Sequence, residues 1–178
     1  MINKDLVQLV DEKDNPIGTM EKMEVHRNPH LHRAISIFIF NTKGEWLLQQ
    51  RADDKYHSQG LWTNACCTHP YVEETYSQAA SRRLKEEMGM KTELKPLFQF
   101  IYKAKIDDEL TEYEYDQVFI CITDQKPNPN IEEVKDWKYV NYDDLKFDIK
   151  NNANDYTAWF KIIFEKVNEH LSANNHKK

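Results

Sequence analysis

Glycine, cysteine and long apolar runs are all scarce in this sequence, and each shortage excludes something. Only four glycines occur in 178 residues. No glycine-rich dinucleotide-binding loop can be built from them, so no flavin is expected. The three cysteines are odd in number, and Cys66 and Cys67 are adjacent. With no C-x-x-C pair they form neither a disulfide framework nor a zinc knuckle, which points to a reduced, cytoplasmic protein. The opening residues, MINKDLVQLVDEKD, contain no secretory apolar core. The longest apolar stretch, around AISIFIF, is too short to cross a bilayer, so no membrane partner is expected. Positive charge is also in deficit. A net charge of −6 leaves no broad footprint for nucleic acid, and an anionic small molecule would need locally concentrated cations.

What is present suits a globular fold: 40% hydrophobic and 12% aromatic residues, with no repeat, low-complexity segment or linker. One domain over residues 1–178 is expected, with a core from about residue 5 to 171 and a frayed tail, SANNHKK. Leu6 to Val10 and Ile17 to Met20 read as strands joined by an Asp14-Asn15-Pro16 turn. Ala34 to Phe40, apolar on both faces, reads as the central strand, turning at residues 41–44 into a hairpin with Glu45 to Gln50. Further strands are expected from Leu61, over Leu97 to Lys105, over Glu112 to Thr123 and over Trp137 to Val140. Helical spacing marks Thr75 to Met88, stopped by Gly89, and a C-terminal helix carrying Trp159, Ile163, Val167 and Leu171, capped by Asn154 or Asp155. The class is α+β with a mixed sheet.

The chemistry concentrates around LWTNACCTHP, residues 61–70. On a strand, Cys67 and His69 share a face. Glu112 and Glu114 likewise share a face, followed on it by Asp116, Val118 and Ile120. Two acids leading into an apolar face call for compensation by a cation. His26, His32 and His69 with those glutamates would make an oxygen and nitrogen site for a divalent ion. The alternative is three loop histidines beside a solvated acidic strand end, and His30 competes with His26. His57, His170 and His176 lack such company and are expected to face solvent. Arg51 and Lys55, with Lys22 upstream, would suit a diphosphate or be ordinary surface charge. On the helix, Arg82–Glu86 and Arg83–Glu87 are either surface ion pairs or, for Arg83 and Glu87, contacts to phosphate and to a hard cation. Cys67 and Glu114 would serve proton delivery and removal across a small apolar substrate; a nucleophilic Cys67, or a merely buried one, is the alternative. Cys66 and Cys121 read as core.

Taken together, E-K-x3-H, LHRA, YHSQGLWTN, CCTHP, YKA and E-x-E, in that order with RRLKEEMG, resemble the type I isopentenyl-diphosphate delta-isomerases of the Nudix superfamily, from Val10 to the C-terminal helix. The Nudix box is altered: Thr68 stands where hydrolases have glycine, and Arg83 where they have glutamate, while Glu74, Arg82, Leu84, Glu86, Glu87 and Gly89 match. The resemblance implies an α/β/α sandwich and reversible conversion of isopentenyl to dimethylallyl diphosphate. It implies Cys67 and Glu114 as the proton-shuttling pair. It also implies Mn2+, Zn2+ or Mg2+ at His26, His32, His69, Glu112 and Glu114, and Mg2+ with the diphosphate at Glu87. Lys22, Arg51, Lys55 and Arg83 match diphosphate contacts, Tyr102 a tyrosine near the site, and Trp159 a ring facing the cationic intermediate. The expected partners are a small isoprenoid diphosphate and, at most, a second copy in a weak homodimer.

Overall fold

A computed structural model describes residues 4–55 and 57–175. The chain opens with the antiparallel strands β1 (Leu6–Val10) and β2 (Pro16–Glu21) and a short helix, α1 (Lys22–Arg27). Four strands follow: β3 (His32–Phe40), β4 (Trp46–Arg51), β5 (Trp62–Thr63) and β6 (Cys66–Thr68). Helix α2 (Tyr76–Met88) leads into β7 (Lys95–Lys105), β8 (Thr111–Ile122) and β9 (Val134–Val140). Helices α3 (Tyr142–Asn151) and α4 (Ala158–Asn175) complete the fold.

β3 organises the sheet. It runs parallel to β8 along its whole length, from His32↔Glu114 to Phe40↔Ile122. On its other edge it pairs antiparallel with β6 through Ser36↔Cys67. Both edges being taken, β4 meets β3 only at Phe40↔Trp46 and turns away to pair with β9 and β5. The expected hairpin therefore lasts one residue pair. The Leu61 strand is split for the same reason, since Thr63 pairs with β4 and Cys66 with β3.

The two faces of β3 bury different layers. Ile35, Ile37 and Ile39 pack with Ala80, Leu84 and Met88 of α2. Phe38 and Phe40 pack with Trp159, Phe160, Ile163, Phe164 and Val167 of α4. Each such side chain contributes about 1.5–3 kcal/mol when fully buried, and the result is the α/β/α sandwich. α2 starts at a capping box between Thr75 and Gln78. At α4 the expected caps are displaced: Asn154 and Asp155 lie in a 3-10 turn, and the Thr157 hydroxyl accepts from the Phe160 amide at 3.4 Å. α4 continues to Asn175, past the expected onset of fraying; His176 lies outside the described residues. Two helices were not anticipated. α1 is capped by the Glu21 carboxylate and is too short and polar for a periodic signal. α3 is capped by Asn141, with Asp143 and Asp144 in its first turn. That acidic start was a legible signal.

The α4 face of the sheet changes character along its length. On β3 it reads His32, Ala34, Ser36, Phe38, Phe40, and on β8 Glu112, Glu114, Asp116, Val118, Ile120. Because the strands are parallel and in this register, the two polar halves lie side by side. α4 seals the aromatic halves, and the polar halves open into a cavity.

α2 ends at Gly89, whose left-handed backbone (φ +63°) brings it against the loop before β9: an added Cβ would lie 2.2 Å from the Asn128 carbonyl oxygen. The loop is bonded there through Asn128 N–H to Met88 O (2.9 Å) and Asn130 N–H to Glu87 O (2.9 Å). Gly89→Ala is expected to lower stability by about 2 kcal/mol, combining left-handed strain with overpacking, as measured by urea denaturation. A loss below about 0.5 kcal/mol would mean that the loop yields freely.

Candidate functional site

Three imidazoles converge at the open end of β3. α1 carries His26, β3 begins at His32, and His69 follows β6. Their ring centroids lie 4.9–5.3 Å apart. His26 Nδ1 bonds the Lys22 carbonyl (2.5 Å) and His32 Nδ1 that of His30 (2.8 Å). A carbonyl only accepts, so each Nδ1 carries the proton and each Nε2 is left with a lone pair. Both Nε2 atoms are buried without a partner, as is His69 Nδ1. One ligand atom from each of His26, His32, His69 and Glu114 falls within 4.8 Å of the others. Orphaned, desolvated imidazole nitrogens around a carboxylate fit a divalent cation better than packing or hydrogen bonding. Burial, reinforced by His69, pushes His32 down to about 3, which keeps it in the neutral, metal-binding form. His30 is exposed and turned onto the Asn28 carbonyl (2.6 Å), so His26 is the histidine that enters the cluster.

Glu112 stands outside that four-residue group, one pleat along β8. The Tyr102 hydroxyl lies 2.9 Å from Glu112 Oε2 and 2.5 Å from Glu114 Oε2. One hydroxyl proton cannot serve two carboxylates. Burial and the neighbouring Glu114 charge push the Glu112 carboxyl well above its usual range. The Tyr102 hydroxyl is the donor to either, and its shorter bond is to Glu114. One pleat further along, Asp116 is fully buried and accepts from the Ser36 hydroxyl at 2.7 Å. Burial and Glu114 raise it too. Ser36 is the residue that interrupts the apolar run of β3, which was the one sequence signal for this pair.

Cys67 lies on the strand flanking β3 opposite to Glu114's, and both line one cavity. Burial, then the Glu87 charge, pushes its thiol up, so it rests protonated. That suits a proton donor and argues against a nucleophilic thiolate. Cys66 and Cys121 are core residues, as expected.

Lys22, Arg51, Lys55 and Arg83 line the same cavity. Burial lowers Lys22, and the charges of Arg83, Lys55 and Arg51 lower it further, a measure of how closely the cations converge. Arg83 bonds Glu87, whose other oxygen accepts from Gln49 at 2.7 Å. Arg51 Nε and Arg83 Nε are buried without partners. The Arg51 guanidinium sits 5.3 Å over the Trp159 ring. Arg82 is the structural member of its helix: it clamps Glu74 through two bonds of 2.7 and 2.8 Å.

Two neighbours escaped the sequence reading. His57 is buried, not solvent-facing; it lines the cavity, lies edge-on to Trp159 at 5.6 Å, and its carbonyl accepts from Arg51 at 3.1 Å. The next residue, Ser58, has a left-handed backbone (φ 52°). Glu133, on the loop before β9, bonds both Lys55 and Arg83. His170 is exposed as expected, stacked on Phe98.

A NUDIX domain model matches residues 30–160. Isopentenyl-diphosphate Delta-isomerase 2 of Photorhabdus laumondii is 52% identical over 159 residues, 89% of this chain and 90% of that one. Isopentenyl-diphosphate Delta-isomerase of Pectobacterium atrosepticum is 44% identical over 94% of this chain and 93% of its own. Among solved structures, a Deinococcus radiodurans protein superposes with a TM-score of 0.74 at 17% identity, covering 90% of this chain and 98% of that one. A MutT protein from Methanosarcina mazei superposes at 0.62 and 18% identity, covering 78% and 94%. The structural likenesses speak for the fold. The sequence relatives, matched nearly end to end, speak for the branch: the chain belongs to the isopentenyl-diphosphate Delta-isomerases of the NUDIX-domain family.

Proposed function

We propose that this chain interconverts isopentenyl diphosphate and dimethylallyl diphosphate by adding a proton to one face of a carbon–carbon double bond and removing one from the other. The observation that carries the reading is Cys67 and Glu114 on the two strands flanking β3, in one cavity with a four-cation end. A proton added to the terminal alkene carbon generates a tertiary carbocation. A proton lost from the methylene between that centre and the diphosphate arm re-forms the double bond one position along. One proton enters and one leaves, so the reaction needs no oxidant or water. It does need an acid with a proton to give and a base held opposite, in a site closed to water.

The side chains meet these demands in turn. Cys67, resting as a neutral thiol, holds a transferable proton. Glu114 is held through Tyr102 at one oxygen and by His69 (2.9 Å) at the other. Trp159 offers a ring face that already accommodates a guanidinium, and a desolvated cation–π contact is worth about 2 kcal/mol. Lys22, Arg51, Lys55 and Arg83 would grip the diphosphate, filling the idle Nε donors of the two arginines. The arginine at 83, where hydrolases carry an acid, favours holding the diphosphate over cutting it. A divalent ion, Mn2+, Zn2+ or Mg2+, would be held by His26, His32, His69 and Glu114 with Glu112 as fifth ligand, and Mg2+ arriving with substrate by Glu87; their charge would tune Glu114 and offset the diphosphate.

Metal-loaded protein given isopentenyl diphosphate and Mg2+ is expected to yield dimethylallyl diphosphate without phosphate release. Phosphate release without the allylic product would overturn the reading in favour of hydrolysis. Cys67→Ala is expected to cut kcat by roughly 10²–10⁴, with circular dichroism unchanged. A turnover near wild type would remove Cys67 from the proton path. His32→Ala is expected to lower the divalent metal retained through gel filtration from about one ion per chain to a small fraction, read by elemental analysis. Undiminished retention would place the ion elsewhere.

A further inference from the structure

Two of the cations at the diphosphate end of the cavity are bonded to a carboxylate, Glu133, that lines the adjoining pocket, an acid that an anion-binding site would not be expected to want. Glu133 Oε2 takes bonds from both Lys55 Nζ and Arg83 Nη2, the latter at 3.1 Å. Burial pushes the carboxyl up, but the Lys55 bond and the Arg83 charge more than offset that and hold it below its usual range, so it is ionised. The backbone fixes it from two sides. The Glu133 carbonyl accepts from Ala52 N–H at 3.1 Å, in the stretch that carries Arg51 and Lys55. Glu133 N–H donates to Asn130 O at 3.0 Å, and Asn130 N–H to Glu87 O at 2.9 Å, at the end of α2. The next residue, Val134, pairs with Arg51 just past a bulge in the β4–β9 ladder.

We infer that Glu133 is a positioning residue for diphosphate: it holds Lys55 and Arg83 converged on one oxygen so that their remaining donors face the substrate. This rests on the isomerase reading of the site. Lysine has three donors and arginine five, and the shared carboxylate engages only one on each. On Arg83 the division is visible. Nη1 bonds Glu86 at 3.1 Å, Nη2 bonds Glu87 and Glu133, and Nε remains buried and unpartnered. The acids anchor the tip of the guanidinium and leave the inner donor idle. Glu86 is the most exposed of the three anchors, and Glu87 is the one that Mg2+ would claim. Once it does, Glu133 is the remaining partly buried anchor. Without Glu133, two cations in a crowded cationic cluster would repel and spread, and a substrate would have to gather them at its own entropic cost.

The test compares wild type, Glu133→Ala and Glu133→Gln, the last keeping an acceptor oxygen without the charge. Two readouts are taken at fixed Mg2+: calorimetric Kd for inorganic diphosphate, and KM and kcat for isopentenyl diphosphate. Glu133→Ala is expected to raise Kd and KM about tenfold with kcat within about twofold, since what is lost is ground-state binding. Glu133→Gln is expected to fall between. In a Lys55→Ala background the Glu133→Ala effect is expected to shrink, because part of it acts through Lys55. Unchanged or tighter diphosphate binding in Glu133→Ala overturns the inference, and tighter binding would make the carboxylate a competitor of substrate. Should Glu133→Ala fail to fold, Glu133→Gln decides: unchanged Kd and KM overturn, raised ones support. Wild type that binds diphosphate but forms no allylic product sinks the isomerase reading and leaves Glu133 judged by Kd alone. Wild type that binds no diphosphate sinks both.

Discussion

The parallel pairing of β3 with β8 is the constraint on which the rest of the molecule depends. Each strand is polar at its start and apolar at its end on the face toward α4, and an antiparallel pairing would have set acids against phenylalanines. The register His32↔Glu114 instead collects His32, Ser36, Glu112, Glu114 and Asp116 at one end. Three carboxyl groups on one buried face are tolerable only if some are neutral or compensated. Both means are used. Burial raises the Glu112 and Asp116 carboxyls, which favours their neutral form, and Glu114 lies against His69 and Tyr102. The apolar ends earn the core's stability against α4, which makes the unfavourable polar end supportable.

A second separation follows from the first. The acids proposed to manage protons lie on β8, whereas the cations proposed to hold phosphate lie on β4, α1, α2 and the loop after β4. Cys67 sits between, on β6, where strong cations would turn a thiol into a thiolate. Burial and the acids around it, Glu87 foremost, prevail over Arg51 and keep it a thiol. The arginine at 83 fits the same logic. An acid there would add charge where Glu86, Glu87 and Glu133 already meet, and the guanidinium instead binds all three.

Much of this was legible in the chain itself. Alternation on the strands put Glu112 with Glu114 and Cys67 with His69, and the spacing of α2 put Arg83 with Glu87. These are local relations, fixed by periods of 2.0 and 3.6 residues. What eluded the sequence depends on partners. Whether β3 would pair with β4 or with β8 could not be read from either strand. His26 could not be separated from His30 until α1 existed to aim it, because six residues of polar helix carry no periodic signal. His57 reads as exposed in the sequence because it lies in an irregular polar loop, beside a left-handed Ser58, where no period marks an inward-facing side chain.

Glu133 was invisible for a more general reason, and it links fold to site. It lies on an irregular loop with no period to interpret, and its position is set by main-chain bonds to two other segments. The loop is able to approach α2 because Gly89 has no side chain; a Cβ there would collide with the Asn128 carbonyl. The glycine that stops the helix therefore also admits the segment whose main-chain bonds lead to Glu133. A substitution at Gly89 mild enough to leave the protein folded would still shift the Asn128–Asn130 segment against the end of α2. Its effect would reach Lys55 and Arg83, the cations proposed to hold phosphate, through the backbone, with Cys67 and Glu114 held separately by β3. Stability and substrate affinity would fall together while the chemistry at the far end of the cavity remained intact.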